Sequence, residues 1–279
     1  MNLLSIIEEI EKVDPEFKDR VSPRRAAIRN ITSFGSKVAI AAMPFAFATL
    51  FKKAYGQSAT PSVADVLNYA LKLEYLEAAF YNTGVASSLG FTAAEKAYMV
   101  TIQGHENAHV NFLKSVLGGA AVAQSTQGTA GVYDFTAGGT FPTVFTSVDT
   151  FFAVAQALED TGVRAYKGQA PNLQKDGVAL SAALNIHSVE ARHASAVRQI
   201  RRMRGAATTK PWITGANDTG ITAVNANYAG EDNITQGGVN ITSLAGVGAN
   251  ISVNAATASF DEPLTMAQVL PLVTPFGVK

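Results

Sequence analysis

Residues 106–109 read Glu-Asn-Ala-His, and residues 190–193 read Glu-Ala-Arg-His. Both stretches have the pattern Glu-x-x-His, and positions i and i+3 of a helix lie on the same face. Each stretch therefore predicts a carboxylate and an imidazole that point to one side of a helix. The chain has only four histidines, and they fall in two short clusters around these stretches. Two such matches by chance are improbable, so the pattern indicates a metal site.

Two further glutamates precede these stretches. Glu74 lies about as far before Glu106 as Glu159 lies before Glu190. Each of the two follows a leucine, and a tyrosine comes two helical turns later. The sequence thus contains two copies of one unit, a glutamate helix followed by a Glu-x-x-His helix.

Start and stop signals divide residues 60–205 into four long helices. The predicted limits are Thr60, with Pro61 at the first helical position, to Gly84; Thr92, in a capping box with Glu95, to Gly118; Thr146 or Ser147 to Gly168; and Gly177 to Gly205. Short loops at 84–91 and 169–176 predict two antiparallel hairpins, and the segment 119–145 is a long crossover between them. We therefore predict an all-α fold, a ferritin-like four-helix bundle with the long crossover between its second and third helices.

Such a bundle can hold two transition-metal ions between its helices. Two divalent ions about 3.5–4 Å apart carry four positive charges, which four carboxylates neutralise. One histidine per ion completes the set and leaves positions open for dioxygen or peroxide. The predicted metal ligands are Glu74, Glu106, His109, Glu159, Glu190 and His193. Among them, Glu106 and Glu190 are predicted to bridge or chelate both ions and so to act directly in catalysis.

The composition restricts the chemistry further. The chain has 279 residues, 47% of them apolar, which is enough for one sizeable core. Acidic and basic residues number 22 each, so no overall field favours nucleic acid, and we expect no nucleic-acid partner. There is no cysteine, which excludes thiolate and iron–sulfur ligation and leaves nitrogen and oxygen ligands.

The ends of the chain differ from the bundle at 57–205. Residues 1–56 contain an amphipathic pattern, the pair Arg24-Arg25 and an apolar run at 38–51, which resemble a twin-arginine export signal that ends before Gln57. We expect export to the periplasm or cell envelope; the alternative is an uncleaved N-terminal helical hairpin that is retained as an anchor. The expected partner is a second copy of the chain, in a homo-oligomer, or an envelope protein that the N-terminal helix contacts.

Residues 206–279 are rich in Gly, Asn, Thr and Ala and nearly free of charge. Alternation at Ile251, Val253 and Ala255 predicts short strands, and a short terminal helix is predicted to open at Thr265 and break at Pro271. This segment is predicted to be a C-terminal extension of loops and short strands packed on the bundle.

Several polar residues near the predicted ligands have less clear roles. Tyr81 and Tyr166 are interpreted as core residues, or as hydrogen-bond partners or radical relays of the site. Glu77 could replace Glu74 as a ligand, but the repeat aligns Glu74 with Glu159, so Glu77 is expected to support the site or to be solvated. His187 is expected to be a supporting partner, an extra ligand or a core histidine. His105 is expected to point elsewhere. Asp160 is expected to be solvated, and the arginines at 198–204 to form a charge cluster at a helix end.

Residues 73–81 (Leu-Glu-Tyr-Leu-Glu-Ala-Ala-Phe-Tyr) and 186–193 (Ile-His-Ser-Val-Glu-Ala-Arg-His) resemble bacterial ferritin-like domain proteins related to plant desiccation-related proteins. The resemblance covers 60–205 and continues through 228–232 (Tyr-Ala-Gly-Glu-Asp) and 260–264 (Phe-Asp-Glu-Pro-Leu). It implies a ferritin-like fold and a metal site, whereas membership does not settle the activity.

Our leading hypothesis for function is a di-iron protein that oxidises Fe(II) with dioxygen or peroxide and limits oxidative damage. A manganese catalase, with two Mn ions in place of two Fe ions, is the alternative enzyme. A non-catalytic structural or envelope protein, whose metal site only staples the bundle, is the alternative from another class.

Overall fold

The computed structural model describes residues 61–124, 133–206, 208–215, 219–244 and 250–278. The export-signal or hairpin prediction for 1–56 and the predicted cap Thr60 lie outside these residues.

The described part of the chain is built around four long helices. They are α1 (Val63–Ala86), α2 (Ala93–Leu117), α3 (Val148–Gln169) and α4 (Gly177–Met203). The start of α1 corrects the prediction, because Ser62 and not Thr60 is its cap, in a capping box with Asp65. The capping box of Thr92 and Glu95 at α2 is confirmed, and Ser147 caps α3.

The helices pair as the loop lengths predict, and the predicted ferritin-like bundle is confirmed. Helix α1 packs along α2, and α3 packs along α4, while smaller contacts of α1 with α3 and of α2 with α4 close the bundle. In the core at one end, the rings of Phe80 and Phe151 stack with their centroids 4.5 Å apart. A Cβ on Gly84 would overlap the Phe151 ring, so this close approach of α1 and α3 requires glycine.

The C-terminal extension consists mainly of turns and short helices. Its only strands in the described residues are the two-residue pair β1 (Thr235–Gln236) and β2 (Val239–Asn240). The predicted strand around Val253 is wrong, because Ser252 caps a short helix, α5 (Val253–Thr257). Thr265 caps α6 (Met266–Val273) as predicted, but Pro271 does not break it. Proline has a helical φ and removes one hydrogen bond, so the last residues of a short helix can follow it.

The extension is anchored on α3 through Arg164, which is buried. Its guanidinium donates to the carbonyl oxygens of Glu262 (2.7 Å), Ala229 (2.6 Å) and Asn227, and its Nε lies 2.7 Å from Glu231 Oε1. Within the residues described, no helix is long and apolar enough to cross a bilayer.

Candidate metal centre

All four long helices contribute to one cluster of buried charged side chains. Because each predicted ligand lies on the inner face of its helix, the bundle brings all six together. They are Glu74 from α1, Glu106 and His109 from α2, Glu159 from α3, and Glu190 and His193 from α4, each at most 8% exposed.

The cluster divides into two overlapping groups. Glu74, Glu106, His109 and Glu190 present ligand atoms within 4.8 Å of one another, and so do Glu106, Glu159, Glu190 and His193. Glu106 and Glu190 belong to both groups. This sharing is the arrangement that two carboxylates bridging two adjacent ions require.

Each histidine points its Nδ1 at three carboxylates. His109 Nδ1 lies 3.1 Å from Glu74 Oε2, 3.4 Å from Glu106 Oε2 and 3.1 Å from Glu190 Oε1. His193 Nδ1 lies 2.8 Å from Glu106 Oε1, 3.3 Å from Glu159 Oε2 and 3.6 Å from Glu190 Oε2. A ring nitrogen carries one hydrogen at most and cannot satisfy three carboxylates.

Several of these oxygens have no donor. In the described part of the chain, both carboxylate oxygens of Glu106 and of Glu190, and Oε2 of Glu159, are buried without a hydrogen-bond partner. Buried polar atoms are normally satisfied, and a set of carboxylate oxygens and imidazole nitrogens is the chemistry that Fe, Mn and similar ions accept. The residues present therefore fit a pair of transition-metal ions.

The two tyrosines hold the two outer carboxylates from the opposite helix. Tyr81 on α1 donates its hydroxyl hydrogen to Glu159 Oε1 on α3, and Tyr166 on α3 donates to Glu74 Oε1 on α1. Of the three predicted roles for these tyrosines (core residue, hydrogen-bond partner or radical relay), the role of hydrogen-bond partner fits this geometry. In each carboxylate, one oxygen is thus fixed by a phenol and the other, Oε2, faces a histidine.

Burial and mutual repulsion set the protonation of the metal-free cluster. Desolvation, followed by repulsion from neighbouring glutamates, raises the pKa of Glu106 well above its usual value. Desolvation also raises the pKa of Glu159, to about 7. Glu190 is the exception: it too is desolvated, but the two adjacent histidines lower its pKa to about 2. Desolvation opposes the charge on His109, but the surrounding carboxylates raise its pKa to about 12, and the pKa of His193 is raised in the same way.

A fifth carboxylate lies beside the cluster. Glu77 is 2% exposed, so the expectation that it is solvated is wrong. A Cβ built on Gly162 would lie 3.2 Å from Glu77 Oε1 and 3.7 Å from Glu190 Oε2, which places both oxygens against the same point of α3. Desolvation and then repulsion from Glu190 raise the pKa of Glu77. Glu77 belongs to neither group of potential ligands, whereas Glu74 belongs to one of them. This agrees with the prediction of Glu74 as the ligand.

The two remaining histidines differ. His105 does not point elsewhere, as expected, because its Nδ1 lies 2.9 Å from Nε2 of His193, across the gap between α2 and α4. Helical spacing alone could not reveal this contact, which depends on how closely the two helices approach. His187 is half-buried, and it belongs to neither group of potential ligands.

Asp160 is buried, and the expectation that it is solvated is wrong. Two nitrogens of Arg198 donate to its carboxylate at 2.7–3.0 Å, and the Tyr228 hydroxyl donates to it at 2.5 Å. The arginines at 198–204 are therefore not a simple helix-end cluster. Arg198 and Arg201 are buried under the extension, whereas Arg202 is exposed and Arg204 pairs with Glu95 and Asp149. The expectation was wrong because the C-terminal extension covers Asp160 and Arg198, and the sequence of the four helices does not reveal this contact.

Comparison with known proteins agrees with the geometry. No curated protein and no solved structure matches the chain. A family model described as "Ferritin-like domain" matches residues 62–203, which is half of the chain and spans all four long helices. The closer resemblance to bacterial desiccation-related proteins stays a prediction. The chain belongs to the ferritin-like domain family.

Proposed function

We propose that this protein binds two iron ions in the cluster and oxidises Fe(II) with dioxygen or peroxide. The observation that carries the proposal is the sharing of Glu106 and Glu190 between two groups of four ligands. A site for a single ion needs no shared carboxylates, whereas a pair of adjacent ions does.

Each ligand has a distinct task in this proposal. Glu106 and Glu190 have both carboxylate oxygens without hydrogen-bond partners in the described residues, so each can bind both ions. His109 and His193 would each hold one ion through Nδ1. Glu74 and Glu159 bind at the outer ends through Oε2, because their other oxygen accepts a hydrogen bond from a tyrosine.

Charge balance supports two divalent ions. Four buried carboxylates without cations would be very costly, and two divalent ions neutralise them. In the metal-free protein the pKa values of the two histidines are raised, so protons on their rings neutralise part of the carboxylate charge. The ions must displace these protons, so metal binding releases protons into solution.

When bound, two Fe(II) ions would supply one electron each. Dioxygen would take up these two electrons and two protons and leave as hydrogen peroxide. Hydrogen peroxide as the oxidant would take up two electrons and two protons and leave as two waters. The chain excludes bulk water from this chemistry, because all six ligands and both tyrosines are buried. Tyr81 and Tyr166 keep their hydroxyl hydrogens, since burial and the neighbouring carboxylates raise their pKa values well above the usual range. They therefore remain donors that hold the outer carboxylates in place.

The test compares metal-free protein supplied with Fe(II) or with Mn(II). Fe(II) oxidation is followed under air and with peroxide, and oxygen release from peroxide is followed for both the Fe(II) and the Mn(II) samples. His193→Ala removes a proposed ligand, and His187→Ala is the matched control that removes a histidine outside both ligand groups.

We expect Fe(II) oxidation by the wild type and by His187→Ala, and its loss in His193→Ala. Oxygen release only with Mn(II) would replace the proposal with the manganese catalase, which uses the same kinds of ligand. Ions bound without turnover in either sample would favour the structural alternative.

A further inference from the structure

The two metal-facing histidines differ in what lies behind them. Nε2 of His193 lies 2.9 Å from Nδ1 of His105, and the planes of the two rings are nearly parallel, with an angle of 13° between them. For Nε2 of His109, the described residues offer no such partner. The centre is therefore asymmetric beyond its first layer of ligands, although the six ligands themselves repeat.

We propose that His105 is a positioning residue that holds His193 for metal binding and makes the His193 side the tighter of the two metal sites. The inference rests on the proposed function. A histidine that binds an ion through Nδ1 carries its hydrogen on Nε2, and in His193 this hydrogen points at His105 Nδ1. His105 accepts it and carries its own hydrogen on Nε2.

Such an acceptor acts in two ways. It fixes the ring so that Nδ1 stays directed at Glu106 and Glu159, and it makes the ligand nitrogen more basic. Loss of a partner of this kind typically weakens metal binding about 10–100-fold. The effect should fall on one ion, because His109 does not share the partner.

A packing role for His105 predicts something different. The residue is exposed, so truncation leaves no buried cavity and should change the unfolding free energy little. A selective loss of one metal ion at unchanged stability would therefore come from the hydrogen bond.

The experiment titrates metal-free protein with Co(II), followed by visible absorption and calorimetry. For His105→Ala we expect one ion to bind as in the wild type and the other about 10–100-fold more weakly. The weakened step should be the one that His193→Ala removes. His105→Asn should restore most of the affinity, because its Oδ1 occupies the position of Nδ1 and accepts the same hydrogen. His187→Ala is the control and should bind both ions like the wild type.

Equal affinities of wild type and His105→Ala, an equal loss at both sites, or no recovery in His105→Asn would each overturn the inference. Failure of the proposed function shows elsewhere, in the wild type itself. Wild-type protein that binds fewer than two Co(II) ions would contradict the dinuclear site, and the inference with it.

Discussion

Glu159 and Asp160 are neighbours on α3, and both are buried, at 0% and 3% exposure. Asp160 faces the C-terminal extension, where Arg198 neutralises its charge and Tyr228 donates a hydrogen bond. Glu159 faces the bundle axis, where it receives one hydrogen bond, from Tyr81, and lies among further glutamates. Asp160 has an arginine of its own, whereas Glu159 shares the charge of His193 with two other glutamates.

This difference separates structure from function. The network around Asp160 stabilises the fold, because it joins α3, α4 and the extension with its charges paired. The cluster around Glu159 is left short of positive charge, which bound cations would supply. A substitution at Asp160 should therefore affect stability, whereas a substitution at Glu159 should affect metal binding.

The largest effect is expected from Arg198→Ala. It leaves the Asp160 carboxylate buried without its charged partner, and breaking a buried ion pair in this way costs about 3–5 kcal/mol. The measurement is urea unfolding of the metal-free protein. Arg202→Ala is the matched control: this exposed arginine lies on the same helix and should change stability by less than about 0.5 kcal/mol. Equal effects of the two variants would contradict the assignment of the network.

Gly168→Ala tests the docking of the extension by a different route. A Cβ at Gly168 would overlap the backbone carbonyl of Leu264, whose amide hydrogen-bonds to Arg164. The extension must shift, and we expect a loss of about 1–3 kcal/mol in unfolding free energy. Gly104→Ala is the control, because nothing lies within 4 Å of a Cβ there and alanine favours a helix by about 0.5–1 kcal/mol.

Glu159→Gln should raise the unfolding free energy of the metal-free protein, whereas the two preceding substitutions should lower it. The pKa of Glu159 is raised to about 7, chiefly by desolvation, so its charge destabilises the fold near and above pH 7. Glutamine is neutral and still accepts the hydrogen bond from Tyr81. We expect a gain on the order of 1 kcal/mol together with weaker metal binding. Asp160→Asn should instead lower stability, and a loss of stability in both variants would remove the contrast between the neighbours.

The pH dependence of the metal-free protein tests the charge on the cluster itself. Between pH 4.5 and 7 the folded state holds more protons than the unfolded state, because the pKa of Glu159 rises from 4.5 to about 7 on folding. Unfolding free energy from this group therefore falls as pH rises through that window. The contribution of His109, whose pKa is about 12, is complete below about pH 6.5 and declines above it, in the same direction. Urea unfolding at pH 5 and pH 8, with and without metal, should show a decline that bound metal reverses.

That the six predicted ligands lie together could be predicted because helical spacing puts the Glu and His of each Glu-x-x-His pair on one face, and the repeat adds Glu74 and Glu159. The bundle topology followed from loop lengths in the same way. Asp160 and Arg198 could not be assigned, since their burial depends on an extension with little periodicity. His105 was missed because its contact crosses between α2 and α4. The predicted cap Thr60 was wrong because proline is compatible with both the first turn of a helix and the extended chain before it, and the capping box of Ser62 and Asp65 sets the boundary.

The most direct test of the dinuclear site is elemental analysis of protein purified from its native host. We predict about two iron ions per chain in the wild type and their loss in the double variant Glu106→Ala/His193→Ala, which removes one shared carboxylate and one histidine. Two manganese ions would keep the site but change the enzyme. No metal in either protein would contradict the dinuclear site.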